Sequence, residues 1–188
     1  MKILIACEFS GVVRDAFIAK GHDAISCDLL PTEAPGPHIV GDVRRYLREP
    51  WDMVIAHPPC TRLCNSGVRW LHERNLWREM RDGAAFFKYC LSANSPRVAV
   101  ENPVMHKYAR EIVGRGPDFM VQPWMFGHGE TKRTCFWTKN LPPLEPTNIV
   151  EGREAKVHHA SPGKDRWKLR SITYKGIADA MAEQWGKV

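Results

Sequence analysis

The stretch Met53-Val54-Ile55-Ala56-His57-Pro58-Pro59-Cys60-Thr61 decides the fold. Four apolar residues read as a buried strand, and the two prolines stiffen the turn after it. A cysteine sits on that turn. The same order, an apolar run and then a polar turn, recurs at 98–100 and places Glu101-Asn102-Pro103 at the exit. Side chains at the exits of neighbouring strands meet over one edge of a sheet, which is how open α/β proteins build sites. A thiol and a carboxyl brought together there point to covalent chemistry on a polar substrate.

Working outward, residues 2–7 read as a strand and 12–20 as a helix, with Val12, Val13, Ala16, Phe17 and Ala19 on its apolar side. Gly21 stops that helix, and a second strand at 24–27 ends at Asp28. A Pro/Gly-rich loop spans 31–37, followed by a brief strand at 38–40, a turn at Gly41-Asp42, and room for no more than a short helix before residue 53. Residues 74–93 read as one long helix, 97–100 as a strand, 104–113 as a helix and 119–122 as a strand. A late strand at 134–138 is expected as an antiparallel edge. The interval 139–171 is Pro-, charge- and His-rich, and Ile177, Ala178, Ala180, Met181 and Trp185 mark the face of a closing helix. The alternation predicts an α/β fold: a mostly parallel sheet with helices on both faces.

The 188 residues suit one domain, 1–188, and 44% apolar with 26% charged residues is the make-up of an ordinary soluble protein. No apolar run approaches the ~20 residues a membrane helix needs. The opening residues read as a strand rather than a signal peptide, because Glu8 interrupts them early, so a cytoplasmic home is expected. Six cysteines are too few for a disulfide scaffold and suit a reducing compartment. A net charge of +6 favours a polyanionic partner, although Lys and Arg are scattered and any nucleic-acid surface must be assembled by folding. Most of the seven Trp residues are expected in the core.

The turn Glu8-Phe9-Ser10-Gly11 joins the first strand to the first helix. Gly11 gives a ligand room to approach the backbone, and the helix start offers free N–H groups. The spaced glycines of a dinucleotide fingerprint are missing, as is a phosphate-cradling loop. Asp28 is placed to accept from a ribose and Asp42 to meet an adenine amino group; the alternative is that both are caps or turn residues. Three polar turns along one edge suit a nucleoside cofactor without a pyrophosphate.

At these residues the chain resembles the cytosine-5 DNA methyltransferases. Phe9-Ser10-Gly11 resembles the opening cofactor motif, and Asp28 and Gly41-Asp42 stand where the family places its ribose and adenine contacts. Pro58-Pro59-Cys60-Thr61 resembles the Pro-Cys-Gln loop, and Glu101-Asn102-Pro103 the Glu-Asn-Val motif. The segment 126–136 follows the outline of the Gln-x-Arg-x-Arg segment, with Lys132 and Thr134 at its two Arg positions and Arg133 one residue out of phase. The sequence is also similar to small methyltransferase-like proteins of phages and prophages, which places it in a bacterial host's cytoplasm. The interval 138–171 holds 34 residues, where relatives insert a larger target-recognition domain.

The resemblance implies a Rossmann-like methyltransferase fold and S-adenosylmethionine held by Phe9, Ser10, Gly11, Asp28, Asp42 and Pro58. It implies Cys60 as the thiolate that adds to cytosine C6, making C5 nucleophilic enough to take a methyl group. Glu101, in a protonated or proton-sharing state, would bond N3 and the exocyclic amine, with Asn102 and Pro103 holding the turn. Lys132 or Arg133 would neutralise O2 or a phosphate. The implied partner is DNA, single-stranded or opened, since a flipped base is hard to win from a duplex without a recognition domain. A free pyrimidine nucleotide and a catalytically silent nucleic-acid-binding protein stand as the alternatives. His57-x2-Cys60-x3-Cys64 offers zinc-type side chains, but no second cluster joins them and no metal is expected. A redox-active Cys60–Cys64 pair departs from the usual two-residue spacer.

Overall fold

The computed structural model describes residues 1–156, 163 and 166–188. Five strands run parallel: β1 (Lys2–Ala6), β2 (Asp23–Asp28), β3 (His38–Val40), β4 (Met53–Ala56) and β5 (Arg97–Pro103). β6 (Phe119–Val121) and β7 (Thr134–Lys139) complete a seven-stranded sheet in the order β3-β2-β1-β4-β5-β7-β6. β7 is antiparallel to both its neighbours. The expected antiparallel strand therefore exists, but it lies one place in from the edge, which β6 occupies. This is the α/β, Rossmann-like class predicted from the strand–helix alternation.

The strands read as unbroken apolar runs because helices cover them on both faces. On one face α3 (Trp77–Leu91) and α4 (Lys107–Val113) set Ala84, Phe87 and Ala109 against Val54, Val98, Val100 and Trp137. On the other, α1 (Val12–Ala19) and α6 (Lys175–Trp185) set Phe17, Met181 and Trp185 against Ile3, Ile5, Met53, Ile55 and Phe136. Of the tryptophans, Trp51, Trp137 and Trp185 are buried, Trp77 packs at the rim of the core, and Trp167 is half exposed.

Three predicted boundaries move. The helix expected at 74–93 is α3, which starts at Trp77 because Asn75 takes a left-handed φ of 49°, and a separate α2 (Val68–Glu73) that the sequence reading did not foresee precedes it. α4 begins at Lys107, capped by His106, whose ring accepts from the Ala109 N–H at 3.2 Å. β5 runs on to Pro103 because β7 pairs with it that far, Pro103 opposite Thr134. A short α5 (Arg166–Ser171) precedes α6.

The interval 139–171 is described in part. Its first residues run beside 122–131, with bridges from Phe126 to Asn148 and from Glu130 to Glu154. Residues 157–162, 164 and 165, including His158-His159, lie outside the described residues. Among the described residues no helix is long and apolar enough to cross a membrane.

The order changes direction between β1 and β4, and the register sets Ala6 beside Ala56 and Ala56 beside Val100. The three exits that follow, at Glu8, His57 and Glu101, therefore lie along one edge at the switch point, where open α/β sheets bind ligands.

Candidate active site

His57 and Glu101 meet across that edge. Each is the residue after a paired position, Ala56 on β4 and Val100 on β5, so the parallel register alone brings them together. His57 Nδ1 donates to Glu101 Oε2 at 3.3 Å, and both side chains are largely enclosed, at 8% and 14% exposure. Burial pushes the Glu101 carboxyl up, but the His57 bond and the Lys132 ammonium outweigh it and hold the carboxyl below its ordinary range. The charged form is thus favoured at Glu101, with the His57 ring as its hydrogen-bond partner. Three buried polar atoms on this edge have no partner among the described residues: His57 Nε2, Glu101 Oε1 and Asn102 Oδ1. Such orphans are rare in a folded protein and mark places where a polar ligand can complete the bonding.

A narrow pocket opens beside Glu101, walled by Lys132, Thr134, Phe136, Thr173, Tyr174 and Ile177. The Lys132 ammonium donates to the carbonyls of Arg170 (2.8 Å) and Ile172 (3.5 Å), which hold it over the pocket. Arg133 is exposed and stands outside this group. Of the two cations named from sequence, the structure brings Lys132 to Glu101. Tyr174 donates to Glu130 at 2.7 Å, tying α6 to the segment before β7.

Cys60 lies on the double-proline turn, with Pro58 buried and the thiol half-buried. Its carbonyl accepts from the N–H groups of Leu63 (2.9 Å) and Cys64 (3.0 Å), forming one helical turn. That turn places the Cys60 and Cys64 side chains near enough to influence each other's ionisation. The contact with Cys64 is the first cause, and burial the second, that drives the Cys60 thiol upward; the charge of Lys132 opposes them and that of Glu101 adds to them. Cys64 moves the other way, drawn down first by the neighbouring Cys60 thiol and, against burial, by the Ser66 hydroxyl 3.1 Å from its sulfur. Cys60 therefore shares an electrostatic neighbourhood with Glu101 and Lys132 without being a wall of the pocket.

The cofactor half, predicted at 8–11 with Asp28 and Asp42, is differently arranged. Cys7 takes a left-handed φ of 58° at the exit of β1 and turns Glu8 inward. Glu8 accepts from the first-turn N–H groups of Val13 (2.7 Å) and Arg14 (3.2 Å), and Ser10 Oγ accepts from Val12 at 3.4 Å. The N–H groups expected to be free are thus already capped. The close approach that Gly11 permits is made by Arg14: a Cβ there would lie 2.5 Å from its guanidinium. Arg14 is fully buried and donates to Ser26, Thr32, Ala34, Pro35 and Pro37, stapling the 31–37 loop over the turn. Asp42 caps the 3-10 turn Val43–Arg45 and pairs with Arg44 through both oxygens, the cap alternative open to it. Asp28 Oδ1 accepts from Leu30 at 3.0 Å, while Oδ2 makes no bond among the described residues. Phe9 is nearly buried and its ring faces Trp167 at 5.9 Å.

Asp28 and Asp42 both press on the Cys7 thiol, which burial first of all drives well up. Asp42 is taken up by Arg44 and Glu8 by the N–H groups of α1, so of the three carboxyls Asp28 keeps an oxygen, Oδ2, unbonded among the described residues, as a ribose hydroxyl would require. Among the described residues no group of three side chains is gathered for a metal ion. Sequence reasoning passed over Glu8, His57 and Tyr174 as parts of the site. The signal for the first two was their position, a charged or polar residue directly after an apolar strand.

The sheet order and the exits of β1, β4 and β5 define a Rossmann-like protein with its site at the switch point. No family model matches the chain, and no curated protein matches its sequence. Among solved structures it is similar to a prophage-encoded E. coli protein assigned as a DNA modification methyltransferase, at 14% identity and a TM-score of 0.48, covering 79% of this chain and 51% of that one. It is also similar to the Entamoeba histolytica methyltransferase EhMeth (11%, 0.48, 86% of this chain and 60% of that one). A third likeness is to an rRNA methylase from Escherichia coli (16%, 0.40, 73% and 57%). The chain thus spans between about half and three-fifths of the length of these proteins. At this level the likenesses carry no functional assignment, and the fold is read from the sheet order itself.

Proposed function

We propose that this protein methylates C5 of cytosine, in single-stranded or opened DNA, through a Cys60 adduct at C6. The observation that carries the reading is the convergence at one sheet edge: His57, at the root of the Cys60 turn, bonds Glu101, and Lys132 acts on both Glu101 and the Cys60 thiol. Asp28, with one oxygen open to a ribose, and Phe9 are the residues that would hold S-adenosylmethionine, with Ser10, Gly11, Asp42 and Pro58 supporting the turns around it. When bound, that cofactor supplies an electrophilic methyl group.

The Cys60 sulfur pair forms the bond to C6, and the C5–C6 π pair moves onto C5. C5 is then the atom that would receive the methyl group the bound cofactor supplies. The C5 proton passes to water, the C5–C6 double bond re-forms, and the C6–S bond breaks to return the thiolate. Glu101 Oε1, buried and unpartnered, is the acceptor for the exocyclic amine. The proton shared by His57 and Glu101 is the one available to N3 as charge builds there. Lys132 compensates negative charge on the ring, and Asn102, whose amide donates to the Pro103 carbonyl at 2.6 Å, holds the turn. Arg69 and Arg74 lie 4.2 Å from the two-ring face of Trp70 beyond the nucleophile turn, a cationic and aromatic surface suited to a strand backbone.

The 34-residue interval 138–171 favours one second reading, the free pyrimidine nucleotide, because so short a segment stands in for a recognition domain. The deciding experiment offers labelled S-adenosylmethionine with duplex DNA, single-stranded DNA, RNA and dCMP in parallel. Methyl-labelled cytosine in single-stranded DNA, abolished by Cys60→Ala, is the expected result. Label in dCMP alone moves the substrate to the nucleotide. Binding to DNA without label, and without a covalent complex on 5-fluorocytosine, overturns catalysis in favour of a silent binder.

A further inference from the structure

A second histidine laces the Cys60 turn to the segment that carries Glu101, and the chemistry above does not use it. His106 is 2% exposed, and both its ring nitrogens are engaged. Nδ1 accepts from the Ala109 N–H at 3.2 Å, so the ring proton stands on Nε2, which donates to the Arg62 carbonyl at 2.9 Å. No other donor among the described residues bonds that carbonyl. The backbones run alongside: the His106 N–H donates to the Leu63 carbonyl and the Asn65 N–H to the Val104 carbonyl, both at 2.9 Å, with Cys64 bridged to Met105 between them. The ring of Tyr108 backs the imidazole at 5.9 Å. His57 and Glu101 lace the other end of the same two segments. Each pair is 44 positions apart, the offset that sets Met53 opposite Arg97, so the register of β4 and β5 carries on past the strand ends through two imidazoles.

We propose that His106 is a positioning residue of this site: through the Arg62 carbonyl it sets where the Cys60 thiol stands relative to Glu101. The inference rests on the reading that Cys60 is the nucleophile. One peptide group, between Arg62 and Leu63, carries both contacts. Its N–H donates to the Cys60 carbonyl at 2.9 Å, and its carbonyl accepts from His106. A peptide is planar, so fixing its carbonyl also aims its N–H at Cys60. The two prolines stiffen the other side of Cys60, and the thiol is thus held from both directions. A helix cap uses one ring nitrogen, a task that an Asn or Ser oxygen performs equally well. The second nitrogen, buried on the Arg62 carbonyl, is what a cap does not require. Placement is worth this much: a sulfur displaced by about 1 Å from its line of attack on C6 loses roughly 10²-fold in rate.

Two amides separate the two nitrogens. In His106→Asn the short amide oxygen reaches the Ala109 N–H and keeps the cap, but nothing reaches the Arg62 carbonyl. In His106→Gln the longer amide puts a donor where Nε2 stood and keeps that bond without the cap. For each full-length variant, the saturating rate of covalent-complex formation on single-stranded 5-fluorocytosine DNA with S-adenosylmethionine is measured beside the thermal midpoint. His106→Asn is expected to hold its midpoint and to lose roughly 10²-fold in rate, with the half-saturating DNA concentration unchanged. His106→Gln is expected to fall by about 2–4 °C in midpoint and to recover most of that rate. A His106→Asn protein that reacts at the wild-type rate overturns the proposal and leaves His106 a helix cap. So does a folded His106→Gln protein that is slower than wild type by roughly 10²-fold. Iodoacetamide alkylation of Cys60, read on the tryptic peptide 49–62, needs no substrate. It should rise by roughly fivefold in His106→Asn, the factor that one lost hydrogen bond gives, and stay at the wild-type rate in His106→Gln. If the wild type forms no complex with any pyrimidine, the functional reading fails, and the alkylation rates still decide whether His106 holds the Cys60 turn.

Discussion

Two buried carboxylates, Glu8 and Glu101, stand at the exits of β1 and β5 on either side of His57, and they behave in opposite ways. Burial raises Glu8 above its ordinary range, and His57 together with the N–H groups of Val13 and Arg14 does not undo this. Burial pushes Glu101 the same way, yet the His57 bond and the Lys132 charge reverse the result. Glu8 accepts two backbone bonds from α1, whereas Glu101 keeps one oxygen with no partner at all. Depth alone therefore does not mark a reactive carboxyl. A side chain whose bonds are all made within the fold is holding the fold; one left incomplete is waiting for something else.

The strongest test of that contrast is Glu101→Gln. The amide keeps the shape but loses the charge that His57 and Lys132 converge on. Methyl transfer is expected to fall by roughly 10²–10⁴-fold, while cofactor binding, read by thermal shift with S-adenosylmethionine, stays unchanged. Stability carries a sign as well. The Glu101 carboxyl is held low, so its contribution is present above the unfolded value of about 4.3 and is lost as pH falls through the folded value. The stability lead of wild type over the variant should therefore close on acidification. A variant with full turnover would show that the incomplete oxygen has no role.

Arg14→Met tests the other side, where the bonding is complete. The substitution strands the carbonyls of Ala34 and Pro35 and the hydroxyls around them, a loss of about 3 kcal/mol in denaturant unfolding. The rate at which iodoacetamide alkylates Cys60 should not change in the folded fraction. If it does, the first turn and the nucleophile turn are coupled and the division between the two regions is wrong.

The sequence made the sheet legible because strands buried on both faces are continuous apolar runs, and it made the Cys60 and Glu101 turns legible because polar residues follow those runs at once. Partnerships were harder to see. His57 and Glu101 are 44 positions apart and meet only through strand register. Lys132 reaches Glu101 from the connection between β6 and β7, while Arg133, the next residue and likewise ahead of β7, is exposed. Arg14 stands outside the apolar set of its helix, and nothing in that helix announces that the 31–37 loop needs a donor. Asp42 is the reverse case. Its partner Arg44 is two residues away, so the cap was readable locally.

Gly176→Ala probes how the reactive side depends on α6. Gly176 stands so close to the Phe126 carbonyl that a Cβ would fall 1.9 Å from it. The Gly176 N–H also bonds His128 Nε2 at 3.0 Å. Lifting α6 away costs about 1–3 kcal/mol and shifts Tyr174, a wall of the pocket. A lowered unfolding midpoint together with a raised substrate KM is expected. A lowered midpoint with KM unchanged would make the pocket independent of this seat.

The smallest effect is the most discriminating. Glu8→Gln keeps the bond from Val13, but its amide nitrogen cannot accept from Arg14, a loss of about 1 kcal/mol. Because the Glu8 carboxyl is raised, its contribution is whole below the unfolded value of about 4.3 and fades as pH rises through the folded value. Wild type should therefore lead the variant slightly near pH 4, with the lead shrinking toward neutrality, the reverse of the Glu101 pair. Unfolding curves at several pH values measure both trends on the same axis. A Glu8 lead that widens with pH would mean that this carboxyl too is held as an anion. His57 would then sit between two charges, and the proton assigned to the Glu101 pair would have a second claimant.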